Sequence, residues 1–242
     1  MAAKKRKKRR PQRVPSNRRH VTKQPTSGQL IQSAYEITDE PLDNPYLKRL
    51  PAQVRDTLDG LYDKAQRQPK AAIPELECLV ATYPQVPMFA NYLSVAYGQV
   101  GDMEKAEAWV LEAYRRHPTY LFAKVNYANV CLQKGDITEI PEIFDHKLDL
   151  NLLYPHRTRF HVSEFTGFAG VMCRYYGAIG ERDAAVIYYQ ILKQLAPKHP
   201  ITKHAKRHLY PPFWMRWLRK WADRLDEPLD KTQKHTETQR ME

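Results

Sequence analysis

The sequence predicts an all-α fold, a helix-turn-helix solenoid of about four repeats with a disordered basic N-terminal tail and an amphipathic C-terminal helix. Three observations support this prediction. Apolar residues recur with the period of an α-helix from Pro51 onward, and no segment shows the alternation of a β-strand. A frame of Gly, Ala and Pro also occurs twice, in GDMEKAEAWVLEAYRRHP from Gly101 and in GERDAAVIYYQILKQLAP from Gly180.

Composition places the chain among globular proteins with a charged extension. The chain has 242 residues, 42% of them apolar, which is enough for one sizeable core or a short array of repeats. Its net charge of +12 originates in residues 1–23, which contain eleven Lys or Arg and no acid. No stretch approaches the roughly 18–20 apolar residues of a membrane-spanning helix, and no apolar core of a secretory signal follows the first charges. We expect a cytoplasmic protein without a transmembrane segment.

Residues 1–29 are predicted to be a disordered basic tail, because they have almost no bulky apolar side chains to bury. The tail contains seven consecutive cations: Lys4, Lys5, Arg6, Lys7, Lys8, Arg9 and Arg10. Such a run can bind nucleic acid, a ribonucleoprotein or an acidic protein or membrane surface, and in a eukaryote it can also act as a nuclear import signal. Residues 30–50 are interpreted as a lead-in segment that lies against the fold.

Helical periodicity covers residues 51–200. An apolar stripe at positions i, i+4, i+7, i+8 and i+11 marks the first helix: Val54, Leu58, Leu61, Tyr62 and Ala65. Pro69 and Pro84 follow the first two stripes, and further stripes continue to Pro118 and Pro197. Pro84 and Pro118 lie 34 residues apart, as do Gly101 and Gly135. A fixed period of this size is typical of a helix-turn-helix solenoid.

The repeat frame resembles the tetratricopeptide repeat family. The clearest copy has the family's pattern at Leu93, Ser94, Tyr97, Gly101, Ala106, Val110, Ala113 and Pro118. The following copy is degenerate, with Ile140 in place of a small residue and Leu152 in place of Pro. The last copy recovers the pattern after an insertion of about eleven residues between Phe144 and Phe168. The resemblance implies paired helices, with the first helix of each pair lining a concave groove that binds a partner protein.

The frame also predicts local geometry. Gly in the turn of each pair supplies a positive φ, and Asp102 and Asp136 directly after it are expected to cap the second helix. Ala106 and Ala185 are expected where the paired helices approach closely. In the resembled family, the groove is lined at the positions of Asn91, Asn126 and Asn129, and an Asn amide both donates to and accepts from a peptide backbone. Solvated polar positions without a partner are the alternative interpretation of these three residues.

Residues 201–227 are predicted to form an amphipathic helix with a basic face, and residues 228–242 a polar tail. The aromatic face of the amphipathic helix carries three of the four Trp residues: Trp214, Trp217 and Trp221. Two interpretations remain open. The aromatic face covers the exposed end of the last repeat, or it lies in a membrane interface with the basic face toward anionic headgroups.

Motifs of catalysis and of cofactor or metal binding are missing from the sequence, which lacks a phosphate-binding loop, a nucleophile elbow and a zinc helix. Cys131 and Cys173 are expected to be small apolar fillers. His204 and His208 are interpreted as a solvated helix face, and the arginines in YPHRTRFH (residues 154–161) as part of an ordinary connection. The sequence therefore predicts a non-enzymatic adaptor or scaffold; a peripheral membrane-associated assembly factor is the alternative.

Overall fold

The structure of this chain is a computed structural model that describes residues 35–214 and Trp217. These residues form helices joined by short connections, which confirms the predicted all-α class. The helices in chain order are α1 (Ala52–Arg67), α2 (Pro69–Thr82), α3 (Pro87–Gln99), α4 (Met103–Arg116), α5 (Leu121–Lys134), α6 (Glu139–Ile143), α7 (Leu150–Leu153), α8 (Val162–Ala178), α9 (Arg182–Leu195) and α10 (Pro200–Leu209). A 3-10 turn spans Leu47–Arg49, and two short strands are β1 (Glu36–Thr38) and β2 (Arg159–His161).

Glycine makes the bend inside three of the helical hairpins. Gly101, Gly135 and Gly180 have φ angles of 83°, 86° and 86°, in the left-handed region where a residue with a side chain is strained. These matching bends confirm the prediction made from the repeated frame. Asp102 also caps α4 as expected, since its carboxylate accepts a hydrogen bond from the backbone N–H of Lys105 at 3.1 Å.

The first helices of successive hairpins pack against one another in chain order. Helix α1 contacts α3, α3 contacts α5, α5 contacts α8, and α8 contacts α10. The small residues predicted at the helix crossings are buried, with Ala106 7% and Ala185 0% exposed. Pro69 begins α2 directly after the turn at Gln68, in the first helical position where its missing N–H costs nothing.

The third hairpin is short, because α6 ends at Ile143 after five residues. The prediction that Asp136 caps this helix was wrong. A further turn, in which the N–H of Glu139 donates to the carbonyl of Asp136, places the start of α6 beyond the reach of an Asp136 cap. The predicted insertion lies after this helix, where residues 144–161 separate α6 from α8 and contain α7 and β2.

A buried lysine closes the end of α6. Lys124 on α5 is 3% exposed, and its ammonium donates to the carbonyl of Ile143 at 2.5 Å and pairs with Asp145 at 3.1 Å. Asp145 and His146 have left-handed φ angles of 53° and 56°, so the chain turns sharply at this point. The C-terminal carbonyl of the short helix therefore has a charged donor although no further helical turn follows.

The lead-in segment contacts the insertion through a small sheet. Strand β1 pairs in parallel with β2, with Glu36 opposite Arg159, and Arg159 also forms ion pairs with Glu36 and Glu40 at 3.6 and 3.0 Å. The ring of Tyr35 packs edge-on against Phe160 with 5.1 Å between centroids. The expectation that the chain has no strand was wrong for these two segments. Three-residue strands far apart in the chain are too short to show alternation in the sequence.

Helix α10 covers the last hairpin, in the place expected for the Trp-rich segment. Ala205 and Leu209 of α10 are 1% and 4% exposed, and the helix packs on α8 and α9. The aromatic residues that follow are largely exposed: Phe213 81%, Trp214 57% and Trp217 58%. Of the two interpretations left open for this segment, the exposure of Trp214 and Trp217 does not support the one in which their rings cover the last hairpin. Trp221 lies outside the described residues.

The buried apolar side chains form two clusters that meet at Tyr114. One cluster is built mainly from α1 to α4, and the other from α5 to α10 together with β2. Tyr114 on α4 packs against both. None of the helices in the described part of the chain is long and apolar enough to span a bilayer.

Replacing Gly170 with Ala should destabilise the packing of α10 on α8. An added Cβ would overlap Cγ2 of Ile201, so either this side chain or α10 has to shift. We expect a loss of about 1–3 kcal/mol in the free energy of unfolding, measured by urea denaturation with circular dichroism. The control is Gly177→Ala in the same helix, where the added Cβ meets no atom within 4 Å. It should be neutral or stabilising, and equal losses in both variants would contradict the close packing.

Replacing Lys124 with Met should weaken the third hairpin. The substitution preserves the volume of the side chain but leaves the carbonyl of Ile143 without its donor, at a cost of about 1–3 kcal/mol in the free energy of unfolding. The control is Lys134→Met on the same helix, whose side chain is 52% exposed and which we expect to change stability little. If the Lys124→Met variant has the same free energy of unfolding as the parent, α6 does not need this donor.

Candidate partner-binding surface

Two of the asparagines proposed from the sequence link α3 to α5. Both are partly buried, and Nδ2 of Asn126 donates a hydrogen bond to Oδ1 of Asn91. Among residues 35–214, Nδ2 of Asn91 and Oδ1 of Asn126 have no hydrogen-bond partner. The pair therefore keeps one donor and one acceptor that are available to a ligand.

The third asparagine links α5 to α8. Oδ1 of Asn129 accepts a hydrogen bond from Nη1 of Arg174 at 2.9 Å, and its Nδ2 donates to the carbonyl of Val125 at 3.0 Å. Asn91, Asn126, Asn129 and Arg174 thus connect the first helices of three hairpins, and we call them the α3–α5–α8 surface. The three asparagines are partly buried and hydrogen-bonded.

Arg174 was not among the residues proposed from the sequence, although the repeat contains a signal for it. Asn129 precedes Gly135 by six residues, and Arg174 precedes Gly180 by six. Equivalent places in successive repeats face the same side of a stacked array. Alignment of the copies on their turn glycines would therefore have placed Arg174 beside Asn129, and Val95 at the same place in the preceding copy.

The guanidinium of Arg174 has no acidic partner in the described part of the chain. Its Nε–H is buried without a hydrogen-bond acceptor, a state that costs about 1–3 kcal/mol for a typical donor. Burial lowers the pKa of Arg174, and among nearby charges only the Cys173 thiol opposes this shift. On α10, burial lowers the pKa of His204, and the charges of Arg174 and Arg207 lower it further. The α8 end of the surface is therefore positively charged.

The arginines of the insertion form internal contacts. Arg157 binds Glu164 through two hydrogen bonds of 3.1 and 2.7 Å, and its guanidinium lies 4.1 Å from the ring centroid of Phe160. Glu164 in turn accepts from the backbone N–H of His161 at the start of α8, which completes a capping box. These contacts support the interpretation of YPHRTRFH as an ordinary connection, because they hold the insertion on α8.

The two cysteines noted in the sequence lie in surroundings that do not activate a thiol, and the two histidines lie on an exposed face of α10, as expected. Cys131 and Cys173 are 3% and 0% exposed, and burial raises the pKa of Cys173 to about 11. A nucleophilic cysteine has a lowered pKa, so packing is the role that fits both thiols. The rings of His204 and His208 contact each other edge-on with 4.9 Å between centroids.

The remaining proposed residues cannot be placed on this surface. The seven cations at positions 4–10 and Trp221 lie outside the described residues. Trp214 and Trp217 are described and exposed, but they lie beyond α10. No model of a known protein family matches the chain, and no curated protein sequence matches it.

Proposed function

We propose that this protein is a non-enzymatic adaptor of the tetratricopeptide type, which binds an extended segment of a partner protein on the α3–α5–α8 surface. The observation that carries the proposal is the two polar contacts between neighbouring first helices, Asn91 with Asn126 and Asn129 with Arg174. The free donor of Asn91 and the free acceptor of Asn126 match the carbonyl and N–H of a peptide backbone. Such a surface binds a main chain without needing a catalytic group.

The basic tail supplies the second contact of the proposed adaptor. Seven adjacent cations at positions 4–10 attract nucleic acid, a ribonucleoprotein or an acidic surface, and the attraction weakens as salt is raised. Two weak contacts on one chain give an avidity that neither has alone. The adaptor would thus join a protein partner to a polyanion, in the cytoplasm or, in a eukaryote, in the nucleus.

Deletion of the tail should separate the two contacts. We expect full-length protein to capture both classes of partner at low salt, and protein lacking residues 1–29 to keep the protein partner but lose the polyanion. Nuclease treatment and high salt should mimic the deletion, because both remove the electrostatic contact. The measurement is affinity capture followed by mass spectrometry. If the same partners are retained under all four conditions, the tail has no part in recruitment.

An Asn91→Ala/Asn126→Ala variant tests the surface in the same capture experiment. It should lose the protein partner, because the donor and the acceptor for its backbone are removed together. The matched control is Asn151→Ala on α7, an asparagine of similar partial burial away from this surface. Loss of the same partner in both variants would mean that the α3–α5–α8 surface is not the binding site.

A peripheral membrane-associated assembly factor is the second candidate, and the exposure of Phe213, Trp214 and Trp217 favours it. Aromatic residues beside basic ones are typical of helices in a membrane interface. We expect Trp214→Ala/Trp217→Ala/Trp221→Ala to abolish co-sedimentation with anionic liposomes and to leave the melting temperature unchanged, since α10 covers the last hairpin. A loss of thermal stability with unchanged lipid binding would contradict this function.

A further inference from the structure

The geometry points to Arg174 as the binding site for a carboxylate, from Asp or Glu, in an extended acidic segment of the partner protein. This assignment rests on the proposed function and adds the chemical class of the segment that the α3–α5–α8 surface binds.

The charge of Arg174 is uncompensated within the described residues. The guanidinium is partly removed from water, its one hydrogen bond goes to the neutral amide of Asn129, and its buried Nε–H has no acceptor. A charge in this state gains more from a counter-charge than an exposed one does, because part of its hydration is already lost. An incoming carboxylate therefore meets a cation that is ready to pair.

The helices beside Arg174 offer no acid to fill this role. On α5 its contact is the amide of Asn129. On α10 the nearby group is His204, whose pKa the charge of Arg174 lowers, and neither α5 nor α10 contains an Asp or Glu. The counter-charge is therefore left to the ligand.

The spacing of the polar pairs fits an extended peptide. Asn126 and Asn129 are three residues apart on one helix, so their side chains lie about 5–6 Å apart. An extended peptide advances about 3.3 Å per residue. A segment whose backbone bonds to the Asn91–Asn126 pair therefore places a side chain about two residues further along beside Arg174.

The composition of the surface favours a peptide carboxylate over a nucleic-acid backbone. A planar guanidinium matches a carboxylate with two parallel hydrogen bonds. Nucleic acid carries a charge at every nucleotide and is bound by rows of cations. The α3–α5–α8 surface instead has three neutral amides and one guanidinium, which suits a main chain with one acidic side chain at a fixed place.

The test measures the binding of two short fluorescein-labelled peptides to the full-length chain by fluorescence anisotropy. One peptide has Glu at alternate positions between Ser and Gly, and the other has Gln at the same positions. All proteins carry Gln in place of the eleven Lys and Arg residues within positions 1–23, so the tail does not attract the Glu peptide. The variants are Arg174→Gln, Arg174→Lys and the matched control Arg115→Gln, which removes an exposed arginine of α4.

We expect the parent protein to bind the Glu peptide about tenfold more tightly than the Gln peptide, as for a hydrogen-bonded ion pair. Arg174→Gln should bind both equally, Arg174→Lys should keep part of the preference, and Arg115→Gln should keep all of it. The melting temperature of Arg174→Gln should equal or exceed that of the parent, because an uncompensated charge is removed. This measurement separates loss of binding from loss of fold.

Three outcomes overturn the assignment: equal binding of both peptides by the parent, no binding of either, or a preference that survives Arg174→Gln. A single-stranded oligouridine that binds through Arg174 when the Glu peptide does not would also overturn it, in favour of nucleic acid. If both peptides bind equally and Asn91→Ala/Asn126→Ala abolishes that binding, the adaptor function stands without its acidic preference. If instead Asn91→Ala/Asn126→Ala captures the same partners as the parent in the affinity-capture experiment, the proposed adaptor function is wrong, whatever the peptides show.

Discussion

Each helical hairpin of this chain leaves an apolar face that a neighbouring hairpin covers, and the fold depends on this sequential burial. Leu76 on α2 and Phe89 on α3 belong to different hairpins but are both fully buried in one cluster. Phe144 at the end of α6 meets Phe168 on α8 edge-on, with 5.4 Å between centroids. Because a buried side chain of this size contributes about 1.5–3 kcal/mol, a hairpin without its neighbour would lose several such contributions.

The third hairpin shows how the chain interrupts its own repeat without losing that burial. Helix α6 ends after five residues, and Lys124 donates to its last carbonyl where a longer helix would have continued. The freed chain then crosses to the start of α8, where Arg157 and Glu164 fix it, and pairs β2 with β1. The buried Lys124 thus ends α6 at the point where the insertion begins, and the insertion in turn pairs with the lead-in segment.

The polar surface and the exposed aromatics are the features on which the proposed functions rest. The first helices meet through Asn91, Asn126, Asn129 and Arg174, side chains that are tied to each other but retain unused hydrogen-bonding groups. Fixed polar groups on packed helices lose little entropy when a ligand binds. The uncompensated charge of Arg174 lowers the stability of the fold locally. Such groups are found more often at binding sites than in helix contacts that serve only packing.

Local sequence specified the helices and their bends, and long-range packing specified the rest. Helical periodicity, the positive φ of Gly101 and Gly180 and the cap of Asp102 all depend on residues within one or two turns, so they could be predicted. The periodic pattern also placed the asparagines on the first helices. It places Arg174 and Asn129 at equivalent positions of successive copies, but it could not show that Lys124 ends α6 or that α10 covers the last hairpin. Both features pair groups distant in the chain, and a repeat period predicts only contacts between equivalent positions of neighbouring copies.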